Sequence, residues 1–383
     1  MADAHARPEM TVVSWNCQKA CAGDPLWVYL LELDPDVALL QEVGELPKAV
    51  LDRFDCELQR AAGKNGSPLP SNTAILARGR IGDAIPLEGY SPGVDLAVRA
   101  FAGDLVAREV HLSDGVALKV ISVYCPAHEL DPDQLPGLDM TIKLSENPYL
   151  WLTEVLWACL KQVSPSPAEY WIVGGDLNSS PTLDEHRPWA GNSEVLLRMA
   201  GAGFVECLAR SQGRLTPTYR FPSRPMKHQL DHLFVTPALL DRLTFCTTGS
   251  RRRVFDGGLS DHLPVIAQFA GDSALSEDRR VMFPSELRDF IGGQSWTFAK
   301  TMREWPHEYI VREGVDARLF EDLVAHIRGF GREGRYYDKT LTYYEEAGLT
   351  YWTMGAPLAE TTVVNRCRSE DTYEARLART ELP

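Results

Sequence analysis

The chain has 383 residues, long enough for two domains, and its 44% apolar and 24% charged content is that of an ordinary folded protein in water. A formal charge of −14 argues against gripping long duplex DNA by bulk positive charge, and no stretch approaches the roughly 20 apolar residues that span a bilayer. The first residues lack the apolar core of a secretory signal and the eight cysteines form no Cys-x-x-Cys pair, so a cytoplasmic protein with reduced, mostly buried thiols and no zinc site is expected.

A first strand is predicted at 10–16, ending on Asn16. A short helix follows at 25–33, with Pro25 in its first turn and Leu26, Tyr29, Leu30 and Leu33 at helical spacing. A buried strand at 37–42 ends on Glu42, and 47–54 reads as another short helix. Residues 72–78 form a strand, and 105–112 and 116–124 form a hairpin about Ser113-Asp114-Gly115. A proline-broken loop occupies 125–141. Asn147 as N-cap and Pro148 at the first position then predict a helix over 147–162.

The run Tyr170-Trp171-Ile172-Val173-Gly174-Gly175-Asp176 is a buried strand over 171–176 with a carboxylate at its tip and Asn178 just beyond. On an extended chain, Asp176 and Asn178 would share a side. A helix at 193–200 and strands at 216–220, 229–235 and 263–269 complete the first domain, residues 1–270. Strands that follow one another with few intervening helices imply mixed or mainly antiparallel sheets, two of them packed face to face with helices outside. Residues 271–284 have linker composition. Residues 285–383 are rich in aromatics and read as a small accessory α+β domain, with a helix at 318–330 and a hairpin of 340–344 with 349–353.

Polar residues punctuate the apolar strands: Asn16, Glu42, Asp176 with Asn178, Asp231, and Asp261 with His262. One such residue is an ordinary strand end. Together they are what a shared cleft at one sheet edge needs. The chemistry that fits is metal-assisted phosphoester hydrolysis. A hard cation such as Mg2+ takes oxygen ligands, the transition state gathers negative charge, and a water must be oriented and deprotonated. Asp231 beside Asp261-His262 offers a carboxylate to hold the imidazole.

Ser14-Trp15-Asn16, Leu40-Gln41-Glu42, Val123-Tyr124, Gly175-Asp176-Leu177-Asn178, Leu230-Asp231-His232 and Ser260-Asp261-His262-Leu263-Pro264 occur in an order that resembles the endonuclease/exonuclease/phosphatase (DNase I-like) superfamily over roughly residues 10–270. The resemblance implies a four-layered α/β sandwich. It also implies that Glu42 is the main Mg2+ ligand, with Asn16 and Asp261 beside it and Mn2+ as a substitute. Asp176 would orient or activate water, sharing the base role with His262. Asn178 and Tyr124 would hold phosphate oxygens, and Asp231 would orient His262. The chain departs from the pattern at Gln229, where many members carry Arg or Lys, and in the run Tyr124-Cys125-Pro126-Ala127-His128, where His128 reads as a loop surface residue.

The substrate signals are weaker. Arg251, Arg252 and Arg253 precede the Asp261 motif, and Arg220, Arg224 and Lys227 precede Asp231; each set is a candidate rim for a phosphate backbone or an ordinary solvated run. Trp15 and Trp171 read as core. The leading expectation is a phosphodiesterase acting on nucleic acid or nucleotide. A phosphomonoesterase or a small-molecule or lipid-headgroup phosphodiesterase is the alternative, and an inactive binding protein on the same scaffold the third reading. A partner for the accessory domain is left open.

Overall fold

The computed structural model describes residues 9–62, 67–133, 135–185, 191–221, 226, 228–270 and three short strands beyond. In chain order the strands are β1 (Glu9–Ala20), β2 (Val37–Val43), β3 (Asp55–Ala62), β4 (Pro68–Ala77), β5 (Gly79–Ala84), β6 (Leu105–Leu112), β7 (Ala117–Tyr124), β8 (Trp171–Asp176), β9 (Val205–Glu206), β10 (Asp231–Val235), β11 (Leu243–Thr248) and β12 (Val265–Ala270). The helices are α1 (Leu26–Leu33), α2 (Lys48–Leu51), α3 (Pro92–Ala100), α4 (Leu152–Val163), α5 (Pro181–Asp184), α6 (Asn192–Gly201), α7 (Cys207–Gln212) and α8 (Pro237–Leu240).

Two mixed six-stranded sheets form, in the orders β11-β12-β1-β2-β4-β3 and β5-β6-β7-β8-β10-β9. Their central strands are apolar on both faces, which explains the unbroken runs. Along β1 and β2, Val12, Val37 and Leu39 point between the sheets and meet Val120, Ile172 and Leu233. Val13, Trp15, Ala38 and Leu40 point outward and pack with Leu26 and Leu30 of α1. Trp171 and Val173 of β8 face outward against Val155, Leu156 and Cys159 of α4. The result is the expected four-layered α/β sandwich, with Trp15 and Trp171 in the core. Burying each such aliphatic side chain stabilises the fold by about 1.5–3 kcal/mol.

Two glycines in β8 are required by close approach. A Cβ on Gly174 would stand 2.7 Å from both Leu39 Cδ1 of the other sheet and Leu233 Cδ1. A Cβ on Gly175, at φ 156°, would stand 1.8 Å from the Val123 carbonyl of the neighbouring strand. Gly175→Ala is therefore expected to destabilise the protein by about 2–4 kcal/mol, measurable by urea unfolding; a loss under about 1 kcal/mol would show that β7 and β8 separate freely.

Several elements differ from the sequence reading. The helix expected at 147–162 starts at Leu152, because Glu154 reaches back to the Trp151 N–H at 2.5 Å. Asn147 instead accepts from the Tyr149 N–H at 3.0 Å, a local turn that satisfies the same side chain. The strand expected at 216–220 is reduced to one bridge, Tyr219 with His262. Asn178 lies beyond β8 at φ 47°, so it does not continue the strand alternation from Asp176. The strands β3, β5, β9 and β11 and the helices α3, α5, α7 and α8 have no counterpart in the sequence reading. Beyond residue 270, Arg279–Met282, in the stretch read as a linker, pairs parallel with Glu308–Arg312, which pairs antiparallel with Leu349–Thr353. The expected helix at 318–330 and the expected partner strand at 340–344 lie outside the described residues. The described cysteines are all free; five are buried, Cys56 is half-buried and Cys21 is exposed. Among the described residues no helix is long and apolar enough to cross a membrane.

Candidate active site

Strand register brings the polar tips together. Tyr124 pairs with Asp176 across the parallel β7–β8 ladder, and Asp176 with Asp231 across the antiparallel β8–β10 ladder. The three therefore form one row at one end of the second sheet. At the same end of the first sheet, Asn16 is registered with Gln41. The β1–β2 and β2–β4 ladders then slip, and Glu42 sits in the slip at φ 48°. A left-handed backbone at a non-glycine residue is held only where its surroundings over-determine it. Here the bulge turns Glu42 into the cleft while Gln41 stays buried, donating to Ser122 at 3.2 Å.

Asn16 ties the two sheets together. Its Nδ2 donates to Glu42 Oε1 at 3.1 Å and to Asp176 Oδ2 at 3.0 Å, while its Oδ1 accepts from the Gln18 N–H at 3.0 Å. Asp176 also accepts from the Asn178 N–H at 2.9 Å and from Asn178 Nδ2 at 3.1 Å. The Asn178 amide donates onward to the Cys125 carbonyl at 2.9 Å.

His262 stands on a turn before β12. Ser260 Oγ donates to the Asn16 carbonyl at 2.8 Å and accepts from the His262 N–H at 3.1 Å. Trp15 Nε1 donates to the His262 carbonyl at 2.8 Å, and the Tyr219 ring lies 4.7 Å from the imidazole. His262 Nδ1 is 2.9 Å from Asp231 Oδ2, and its Nε2 is 3.9 Å from Asp176 Oδ2. Thr218, which no sequence pattern flagged, accepts from the Leu230 and Asp231 N–H groups at 3.1 Å each. The second oxygen of Asp231, Oδ1, is buried without a hydrogen-bond partner.

The electrostatics follow from burial and crowding. Burial raises Asp176 to about 7, helped by Asp231 and opposed by His262 and the amide donors. Burial disfavours the His262 cation, yet Asp231 and Asp176 outweigh it and push the imidazole up to about 10. Burial, with the charges of Glu42 and Asp176 and a hydrogen bond to Glu42, raises the Tyr124 phenol. Asp261 is raised chiefly by burial, with His262 opposing. Among the described residues no Lys or Arg side chain pairs with Glu42, Asp176, Asp231 or Asp261.

His262 offsets Asp231 and Asp176, and the carboxylates of Glu42 and Asp261, unpaired by any Lys or Arg among the described residues, fit a divalent cation of oxygen preference. The ligand atoms of Asp176, Asp231 and His262 lie within 4.8 Å of one another. The 2.9 Å Nδ1–Oδ2 approach in this triad is a hydrogen bond, which leaves the half-exposed Glu42 and Asp261 as the oxygen donors free to reach a cation.

The arginines divide. Arg220 donates to the Phe255 carbonyl at 2.8 Å and lies over the Phe255 ring at 4.6 Å, and Arg253 pairs with Glu32 at 2.5 Å over the Tyr29 ring. Both are braced by the scaffold. Arg251 and Arg252 are exposed, and Arg224 and Lys227 lie outside the described residues. His128 is half-buried on its loop, 3.2 Å from the Glu129 carbonyl.

A family model described as "Endonuclease/Exonuclease/phosphatase family" matches residues 13–262. Solved structures share the fold. An AP endonuclease from Archaeoglobus fulgidus aligns with a TM-score of 0.50 at 18% identity, covering 68% of this chain and 99% of that one. The 3'-5' exonuclease NExo from Neisseria meningitidis aligns at 0.47 and 19% identity, covering 68% of this chain and 100% of its own. The AP endonuclease LMAP from Leishmania major aligns at 0.47 and 16% identity, covering 69% and 88%. No curated protein sequence matches the chain.

Proposed function

Because this chain belongs to the endonuclease/exonuclease/phosphatase family and is on that ground a phosphoric ester hydrolase, we propose that it is a Mg2+-dependent phosphodiesterase that cleaves nucleic acid by attack of water. The carrying observation is the cluster of Asp176, Asp231 and Asp261 about one imidazole, with Glu42 joined to Asp176 through Asn16 and no Lys or Arg pairing to any of the four among the described residues. Glu42 and Asp261, with Asn16 beside them, would hold the metal, and Mn2+ would serve as its substitute. When bound, the cation neutralises a phosphate oxygen and the charge that builds on it.

The chain's own groups divide the remaining work. Asp231 and Asp176 favour the charged form of His262 against the cost of its burial, and the imidazolium has no lone pair for base chemistry. It therefore binds the negative phosphate through Nε2–H while Asp231 holds Nδ1–H. Asp176, whose ionised form is accessible near neutrality, orients and deprotonates the water. Asn178 spends both amide hydrogens on the Cys125 carbonyl and Asp176, and so steadies the base instead of gripping phosphate; Tyr124, hydrogen-bonded to Glu42, would donate to a phosphate oxygen once Glu42 turns to the metal. Exposed Arg251 and Arg252 supply a rim for the backbone.

Nucleic acid is favoured by the nucleases among the neighbours of this fold. The alternative, a phosphomonoesterase or small-molecule or lipid-headgroup diesterase, rests on the acidic charge of the chain and on Gln229 in place of a cation. In the structure Gln229 is fully buried against Glu206 and His232, so that substitution bears on packing rather than on substrate. The test is nicking of supercoiled plasmid against phosphate release from mononucleotides, with and without Mg2+. We expect Mg2+-dependent nicking, removal of it by chelation, and a loss of about 10²-fold or more in Glu42→Gln. Phosphate release with intact plasmid would favour the alternative, and neither activity would end both.

A further inference from the structure

We propose that His232, gripped by Gln229, is a positioning residue that fixes Asn178, the residue that holds the base Asp176, through the Ser179 carbonyl; this rests on the hydrolase reading above. Asp231 and His232 are adjacent on β10 and face opposite ways. Asp231 enters the site, while His232 is fully buried on the outer face, stacked on Phe234 at 5.6 Å between ring centres. His232 Nε2 lies 3.0 Å from the Ser179 carbonyl, which can only accept, so Nε2 carries the proton. Its Nδ1 lies 3.2 Å from Gln229 Nε2.

The orientation of Gln229 is settled by its other partners. The Thr216 N–H donates to Oε1 at 2.8 Å, and Nε2 donates to Glu206 Oε1 at 3.1 Å. Glu206 in turn caps α7 and lies 3.8 Å from His232 Nδ1. Burial disfavours the His232 cation and Glu206 favours it; the neutral ring accepts from Gln229 at Nδ1, and either form keeps the Nε2–H that Ser179 needs. The relay thus runs from a helix cap through two buried side chains to the Ser179–Ser180 peptide, one peptide beyond Asn178. That is where rigidity is required, since Asn178 holds φ 47° and must keep its amide 2.9 Å from Cys125 O and 3.1 Å from Asp176 Oδ2. Ser179 is otherwise held through Oγ to Asn192 at 2.8 Å, which leaves its carbonyl to His232.

The test uses the full chain, bis(p-nitrophenyl) phosphate as substrate, and asparagine-selective 15N labelling. His232→Phe keeps the volume and removes the donor, whereas His232→Gln keeps a donor. In His232→Phe we expect kcat to fall about tenfold or more with KM within about twofold. His232→Gln should recover most of the loss, and His232→Phe should add nothing in an Asn178→Ala background. The Asn178 side-chain amide signals, identified by their loss in Asn178→Ala, should shift in His232→Phe and hold in His232→Gln. Unmoved amide signals in His232→Phe would overturn the proposal, as would kinetic losses that simply multiply. The amide signals are read without turnover, so a wild type inactive on every diester would sink the hydrolase reading while the positioning test still decides. Should His232→Phe not fold, Gln229→Leu breaks the relay at its other end and is expected to shift the same signals.

Discussion

Asp176→Asn is expected to lower kcat for diester cleavage by about 10³-fold or more with KM little changed. Asp176 is buried and already accepts from Asn16 and twice from Asn178. Those bonds fix where its carboxylate stands and leave it one duty, taking a proton from water. The amide is nearly isosteric but cannot take that proton, and its NH2 must face at least one of the same donors. The pH dependence has a definite sign. Burial and Asp231 raise Asp176 to about 7, and a base must be ionised, so the wild-type rate should fall as pH drops through that region. Bound Mg2+ favours the ionised form and should move this acid limb lower. The linked stability term runs the other way. A carboxyl raised from 3.8 favours the fold fully below 3.8, and that contribution is lost as pH rises through about 7. Steady-state kinetics from about pH 5 to 9, on wild type and variant, decide the matter. A variant that keeps a tenth of the wild-type rate would remove Asp176 from the base role.

The strand tips were legible because apolar runs such as Val37 to Leu40 and Trp171 to Val173 are buried on both faces and stop at polar residues. Each residue contributes its own periodicity, so no partner need be known. β3 was not legible for the opposite reason. It is an edge strand, and only its last residues, Ala61 and Ala62, are buried. α3 opens with Pro92 and Gly93, residues that read as a turn; Gly93 is needed there because a Cβ would stand 2.5 Å from Gly137 O and Asp139 N. Within the site, the chemistry-bearing residues could be named but not their backbone. The left-handed φ of Glu42 and Asn178 is imposed by ladder slips and by loops that arrive from elsewhere in the chain. His232 shows the limit most clearly. In Leu230-Asp231-His232 it reads as one more polar residue, and only the fold brings Glu206, Gln229 and Ser179 around it. Thr218 and Ser260 are similar: a hydroxyl in a turn becomes a brace only once its long-range partner is placed.

His262→Ala is expected to reduce kcat/KM by about 10³-fold and Asp231→Asn by about 10²-fold, while the double variant loses little more than His262→Ala alone. The reason lies in the 2.9 Å contact between His262 Nδ1 and Asp231 Oδ2, both side chains buried. Asp231 touches no substrate in this scheme. It acts by keeping the imidazole charged and oriented, so without the imidazole it has nothing to do. Asp231→Asn keeps the shape and removes the charge, leaving Asp176, 3.9 Å from Nε2, as the nearest counter-charge. The cation should then weaken but persist. Stability carries the same signature. An imidazole raised from 6.5 to about 10 contributes stability that is full below 6.5 and is lost as pH rises through about 10. Asp231→Asn should move the upper edge of that window downward, and with it the alkaline limb of the rate profile. A double-mutant cycle measured at about pH 7.5, with the pH profile of Asp231→Asn beside it, tests both. Losses that multiply would mean that the two residues act separately. An unmoved alkaline limb would mean that His262 is not the phosphate-binding cation, and the base role would return to it.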